Sequence, residues 1–173
     1  MCTHHHHAID RRHFGSLFLG AASLSLLPVA AFASAKIKAL AVTCIDFRFL
    51  NKDAAFVANE LDLFKEADII ALAGGSLAAI DTKVLPKSKD AFWEQLRVAH
   101  SLHEFEHVVM IDHMDCGAYK EEFKPLPPEK ERAEHVRVMT DVTRQLRMLK
   151  FNVDCYLMPA DLSQPAEHII IPA

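Results

Sequence analysis

Positive charge is not in excess in this chain: 19 Lys and Arg stand against 23 Asp and Glu, for a formal net charge of −4. Nucleic-acid binding calls for a basic stripe, so that class of partner is not expected. Cysteine is scarce, four in 173 residues, and Cys2 lies in a segment of leader-like composition. Without that segment Cys44, Cys116 and Cys155 remain, an odd set that argues against a disulfide framework in an oxidising compartment. The apolar run from Leu17 to Ala33 is interrupted by Gly20, Ser23, Ser25 and Pro28. It falls at or below the roughly 18 to 20 residues that a membrane span needs. What is present, 51% hydrophobic and 24% charged residues, suits one globular domain with a real core.

The leader itself has a recognisable order. Asp10-Arg11-Arg12-His13-Phe14 precedes the apolar run, which ends in Ala31-Phe32-Ala33 and Ala33-Ser34-Ala35, two small-residue cleavage patterns. This reads as a twin-arginine export signal over residues 1–35, removed to leave residues 36–173 as a single domain. The mature protein is then expected in the periplasm or otherwise exported, with no stable membrane association. His4 to His7 sit inside the leader and are expected to do nothing afterwards.

Downstream, short apolar runs alternate with helical periodicity. Lys38 to Thr43, Ala67 to Ala73, His107 to Ile111 and Val153 to Met158 read as strands, with Ile169 to Ile171 as a fifth, edge strand because Pro172 follows. Helices are expected over Asp53 to Phe64, Asp90 to Phe105 and, after the break at Pro125-Leu126-Pro127-Pro128, Glu129 to Lys150, with a short helix opening at Gly117. In the long helix, Val136, Met139, Val142, Leu146 and Leu149 form the expected apolar face. Strands separated by helices predict an α/β fold around a mostly parallel sheet of four to five strands flanked by helices. Such sheets bind ligands beyond the carboxyl ends of their strands, where the winding reverses. Cys44 closes the first strand, and His113 and Cys116 lie just past the third.

Two thiols and one imidazole are three ligands of the kind a catalytic zinc keeps while leaving its fourth position for water. Taken singly, Cys44 and Cys116 also read as buried thiols or a disulfide, and Arg48 beside Asp46 as a surface ion pair. Gly74-Gly75 reads first as a turn that needs positive φ. Asp115, between two candidate ligands, is open to a solvated or helix-capping role. Cys155 reads as core, and His100, His103, His107, His135 and His168 as solvated or structural.

Cys44-Ile45-Asp46-Phe47-Arg48 resembles the CxDxR motif of β-class carbonic anhydrases, and His113-Met114-Asp115-Cys116-Gly117 resembles their HxxC motif followed by glycine. Ala73-Gly74-Gly75 between them is similar to the family's AGG turn, and the likeness in motif order runs from about Ala39 to the long helix. The resemblance implies a homodimeric or higher α/β lyase with one Zn2+ per subunit. Its zinc-bound hydroxide would interconvert carbon dioxide and bicarbonate. It implies Cys44, His113 and Cys116 as the metal ligands and Asp46 and Arg48 as the catalytic dyad, with Arg48 orienting Asp46.

The chain departs from that family at Ala71-Leu72, where many members carry Arg-Asn. Two other readings keep the scaffold. One is a hydrolase of carbonyl sulfide or carbon disulfide, linear molecules open to the same attack. The other is a zinc-binding or thiol-disulfide module without catalysis.

Overall fold

The computed structural model describes residues 36–172, so the expected export signal lies outside the described residues. Its strands are β1 (Ala39–Cys44), β2 (Ala67–Leu72), β3 (His107–His113), β4 (Asn152–Met158) and β5 (Glu167–His168). The helices are α1 (Phe47–Ala55), α2 (Ser88–His103), α3 (Gly117–Phe123) and α4 (Pro128–Met148). One five-stranded sheet forms in the order β2-β1-β3-β4-β5, parallel throughout except for β5, which pairs antiparallel with β4. This is the expected α/β architecture.

Every residue of β1 is buried, as befits a central parallel strand covered on both faces. Alternation then sorts its side chains. Ala39 and Ala41 join Val109, Ile111 and Met158 against Phe49, Phe56 and Val57 on one face. Leu40, Val42 and Cys44 meet Phe92 and Leu96 of α2 and Val138, Met139, Val142 and Leu146 of α4 on the other. Each fully buried Phe, Leu or Met contributes roughly 1.5–3 kcal/mol relative to exposure.

The first helix differs most from the sequence reading. It begins at Phe47 rather than Asp53 because Asp46 caps it, its side chain accepting from the Arg48 N–H. It runs into one wide turn over Phe56–Glu60 and stops before Phe64, which is exposed. The helix therefore springs directly from the end of β1. That places the Cys44–Arg48 segment at the tip of the sheet.

Smaller corrections follow from packing. β3 extends to His113, so this histidine is the last residue of the strand and not a residue beyond it. The edge strand is Glu167–His168, two residues earlier than Ile169 to Ile171, although the Ile169 N–H still donates to the Cys155 carbonyl. On α4, Leu149 is exposed and Val136 only half-buried, while Glu131, His135 and Thr143 are buried instead. Three polar side chains thus share the core face: Thr143 meets Cys155 in the core, while the partners of Glu131 and His135 lie around the site.

Candidate metal centre

The order β2-β1-β3 means that the chain leaves β1 in one direction and returns to its other side, so β1 and β3 flank the switch point. Cys44 ends β1, His113 ends β3, and Cys116 precedes α3. One candidate ligand atom from each residue lies within 4.8 Å of the other two, and all three residues are buried. The three cysteines among the described residues are free thiols. Cys155 is a core residue on β4, beside Thr143.

The imidazole is prepared for a ligand. His113 Nδ1 donates to the Met114 carbonyl at 2.9 Å, which leaves the lone pair on Nε2. That Nε2 is buried with no hydrogen-bond partner. The ring is stacked on Phe49 at 3.9 Å between centroids, so it cannot turn away without losing that contact. Cys44 is also poised. A hydrogen bond from the Cys116 thiol, helped by the Asp46 and Gly74 amides, pulls its thiol down to about 4, while the same bond pushes Cys116 upward. An orphaned nitrogen and two sulfurs sharing a proton form a set that fits a soft or borderline metal ion.

Asp46 stands beside this set, with Oδ2 3.9 Å from His113 Nε2. Arg48 grips it with two nearly parallel bonds, Nε to Oδ1 at 3.0 Å and Nη2 to Oδ2 at 2.7 Å. Those bonds hold the Asp46 carboxyl down at about 2. The ion pair read from sequence is therefore a fork facing the candidate metal position. Ile45, Phe47, Ala73, Gly74, Gly117 and Ala118 line an open cleft of about 470 Å³ over Cys44, Cys116 and the pair.

Gly74 and Gly75 have φ of 81° and 54°, the left-handed turn expected for them. The Gly74 N–H donates to Cys44 Sγ at 3.4 Å. A Cβ on Gly75 would stand 2.4 Å from Asp112 Oδ1. Asp112 in turn is the hub of a buried polar cluster that the sequence reading missed. It accepts from the Ser76 N–H at 2.8 Å, the Ser76 hydroxyl at 2.6 Å and the Tyr119 hydroxyl at 2.8 Å, and it pairs with His135 Nδ1 at 3.0 Å. Burial opposes its charge, yet the bonds from His135 and Ser76 outweigh burial and keep its carboxyl below the ordinary value.

Glu131 was missed as well: its Oε1 accepts the N–H groups of Asp115 at 2.7 Å and Cys116 at 3.2 Å. Glu131 and His135 are four apart on the core face of α4, and polar residues in a core register were the available signal. Asp115 neither faces solvent alone nor caps α3; it binds Arg48. Among the described histidines only His113 joins the ligand set, and His135 is structural as expected.

Residues 34–161 match a family profile described as "Putative carbonic anhydrase". An uncharacterized protein of Rickettsia bellii is 26% identical over 111 residues, covering 62% of this chain and 66% of that protein. The chain thus spans just under two thirds of that relative's length. A second, from Rickettsia conorii, is 28% identical over 130 residues, 70% of this chain and 67% of that protein. Among solved structures, a carbonic anhydrase from Streptococcus mutans is 19% identical with a TM-score of 0.49, covering 78% of this chain and 84% of that one. A carbonic anhydrase from Glaciozyma antarctica is 18% identical with a TM-score of 0.48, at 84% and 87% coverage. By the match over residues 34–161, the chain belongs to the carbonic anhydrase family that the profile describes.

Proposed function

We propose that this chain is a zinc-dependent carbonic anhydrase, a lyase that interconverts carbon dioxide and bicarbonate, with Cys44, His113 and Cys116 as the zinc ligands. The observation that carries the reading is the free, buried Nε2 of His113 within reach of two thiol sulfurs and beside an arginine-held carboxylate. When bound, zinc supplies the Lewis acidity that lets water ionise near neutral pH. Three protein ligands leave room for that water, and two thiolates match zinc's preference better than that of magnesium or calcium.

The chain's own groups do the rest. Asp46, ionised and acceptor-only, takes a hydrogen bond from the attacking water and turns its remaining lone pair toward the substrate. Arg48 keeps Asp46 in that orientation through its fork. Ile45, Phe47, Ala73 and Ala118 give the cleft apolar walls suited to a small, uncharged, linear substrate. The hydrogen bond from Gly74 to Cys44 stabilises the thiolate form.

The reading extends to the assembly and the cell. We take the protein to act as a homodimer or higher homo-oligomer, and to be exported through the twin-arginine signal at residues 1–35. The family resemblance supports the first; the Arg11-Arg12 pair and the small-residue cleavage pattern support the second.

Stopped-flow hydration of carbon dioxide by zinc-loaded protein, with metal content measured on the same sample, tests the function. A zinc-dependent rate above buffer is expected. A zinc-replete protein with no rate above buffer would refute it, and sulfide release from carbonyl sulfide or carbon disulfide in its place would move the substrate to those molecules.

A further inference from the structure

The Arg48 guanidinium is held on two edges. Nε and Nη2 face Asp46, while Nη1 donates to Asp115 Oδ2 at 2.7 Å and Nη2 also reaches the Asp115 carbonyl at 3.2 Å. Asp115 sits between two candidate ligands, His113 and Cys116, with φ of 64°, a left-handed conformation uncommon for residues other than glycine and here fixed from several sides. The constraint is visible. Glu131, buried on α4, accepts the N–H groups of both Asp115 and Cys116, and Lys120 pairs with the second oxygen of Asp115.

We infer that Asp115 is a positioning residue that completes an Asp46–Arg48–Asp115 triad and keeps the Asp46 carboxylate off the metal's open position. The inference rests on the reading of Cys44, His113 and Cys116 as the metal ligands. Asp46 Oδ2 is already 3.9 Å from His113 Nε2, so a modest side-chain rotation would bring it to an ion held by that nitrogen. Arg48 opposes the rotation, but its side chain is 40% exposed, and a guanidinium gripped by Asp46 alone would move with it. Binding the opposite edge to the loop that carries two ligands fixes Arg48, and through it Asp46, relative to the metal.

A plain surface ion pair between Arg48 and Asp115 would add little. Three features distinguish this contact: a side-chain and a backbone acceptor on one residue, the left-handed φ, and a buried carboxylate pinning the amide behind it. The arrangement also explains why Asp46 needs no other partner to stay oriented. Its own cap bond to the Arg48 N–H at 3.0 Å ties it to the same helix start.

The test uses the full chain loaded with cobalt(II), whose absorption spectrum reports the ligand set, together with hydration kinetics on the zinc form. Wild type is compared with Asp115→Ala, Asp115→Asn, Arg48→Ala and the double variant Asp115→Ala/Arg48→Ala. Asp115→Ala is expected to lower kcat by about ten-fold or more. KM should stay within about two-fold, because the interaction lost is one that orients and not one that binds substrate. Its cobalt spectrum should move toward that of Arg48→Ala. The Asn variant, which keeps an oxygen acceptor for Nη1, should fall between, and it decides the matter should Asp115→Ala fail to load metal. The double variant should be no worse than Arg48→Ala, since Asp115 acts through Arg48.

A wild-type spectrum and kcat in Asp115→Ala, or losses that multiply in the double variant, would overturn the inference while leaving the proposed function intact. If no form hydrates carbon dioxide yet the Asp115→Ala spectrum shifts to match Arg48→Ala, the function fails and the positioning role stands.

Discussion

Replacing Gly75 with alanine tests the link between the turn after β2 and the ligand strand. Gly75 has φ of 54°, and an added Cβ would meet Asp112 Oδ1 at 2.4 Å, closer than such contacts occur in proteins. The left-handed backbone alone costs alanine roughly 1–2 kcal/mol. The clash adds to this because Asp112 cannot withdraw freely: it accepts from two groups of Ser76 and from Tyr119, and it pairs with His135. Loosening one such charge-assisted bond costs about 1.5–3 kcal/mol.

The sum for Gly75→Ala is about 2.5–5 kcal/mol, equivalent to a Tm lower by roughly 10 °C for a chain of this size. Gly117→Ala is the matched control, because its Cβ would meet nothing within 4 Å and its φ lies outside the left-handed range. That change, at the start of α3, should stay within about 1 kcal/mol of wild type. Thermal unfolding of metal-free protein, followed by circular dichroism, reads both without the added stabilisation of a bound ion. Gly75→Ala within about 2 °C of wild type, or Gly117→Ala falling equally far, would refute the reasoning.

Two further outcomes are expected. Burial raises the Asp53 carboxyl from 3.8 to about 6, and only Thr43 bonds it, with Oδ1 unpartnered. The folded-state value lies above the unfolded one, so the neutral form favours folding. The stability owed to this residue is therefore complete below about 4 and is lost as pH rises through about 6, by on the order of 3 kcal/mol. Asp53→Asn should flatten that slope in urea unfolding measured at pH 4.5 and 7; an unchanged slope would show that Asp53 is not its source. For the metal centre, His113→Ala and Cys44→Ser should lose zinc on dialysis while Asp46→Asn keeps it. Elemental analysis would contradict the ligand assignment if His113→Ala retained zinc at the wild-type level.

Much of the fold was legible because strands and helices are local patterns. The runs ending at Cys44, Leu72, His113 and Met158 are short and mostly apolar, most completely in the central β1 and β3, which are buried on both faces, and α2 and α4 carry three- and four-residue spacing. The start of α1 was not legible. Asp46 serves at once as helix cap and as the partner of Arg48, and a motif read for its chemistry concealed a helix signal. The far end of α4 differs because the apolar spacing continues to Leu149, which closes the helix and is exposed.

The sequence by itself determined which side chains of the candidate site have metal-binding chemistry and that Cys44, His113 and Cys116 fall near strand ends. Periodicity and residue type are properties of short segments. Only the tertiary structure decided that these ends converge, that His113 presents Nε2 and not Nδ1, and that Asp115, Glu131 and the Asp112 cluster hold the site in place. Those facts depend on β1 lying beside β3 and on α4 folding back across them. The contacts of Glu131 with Cys116 and of Arg48 with Asp115 join residues 15 and 67 positions apart, and no local pattern in the chain encodes which partner a carboxylate will find.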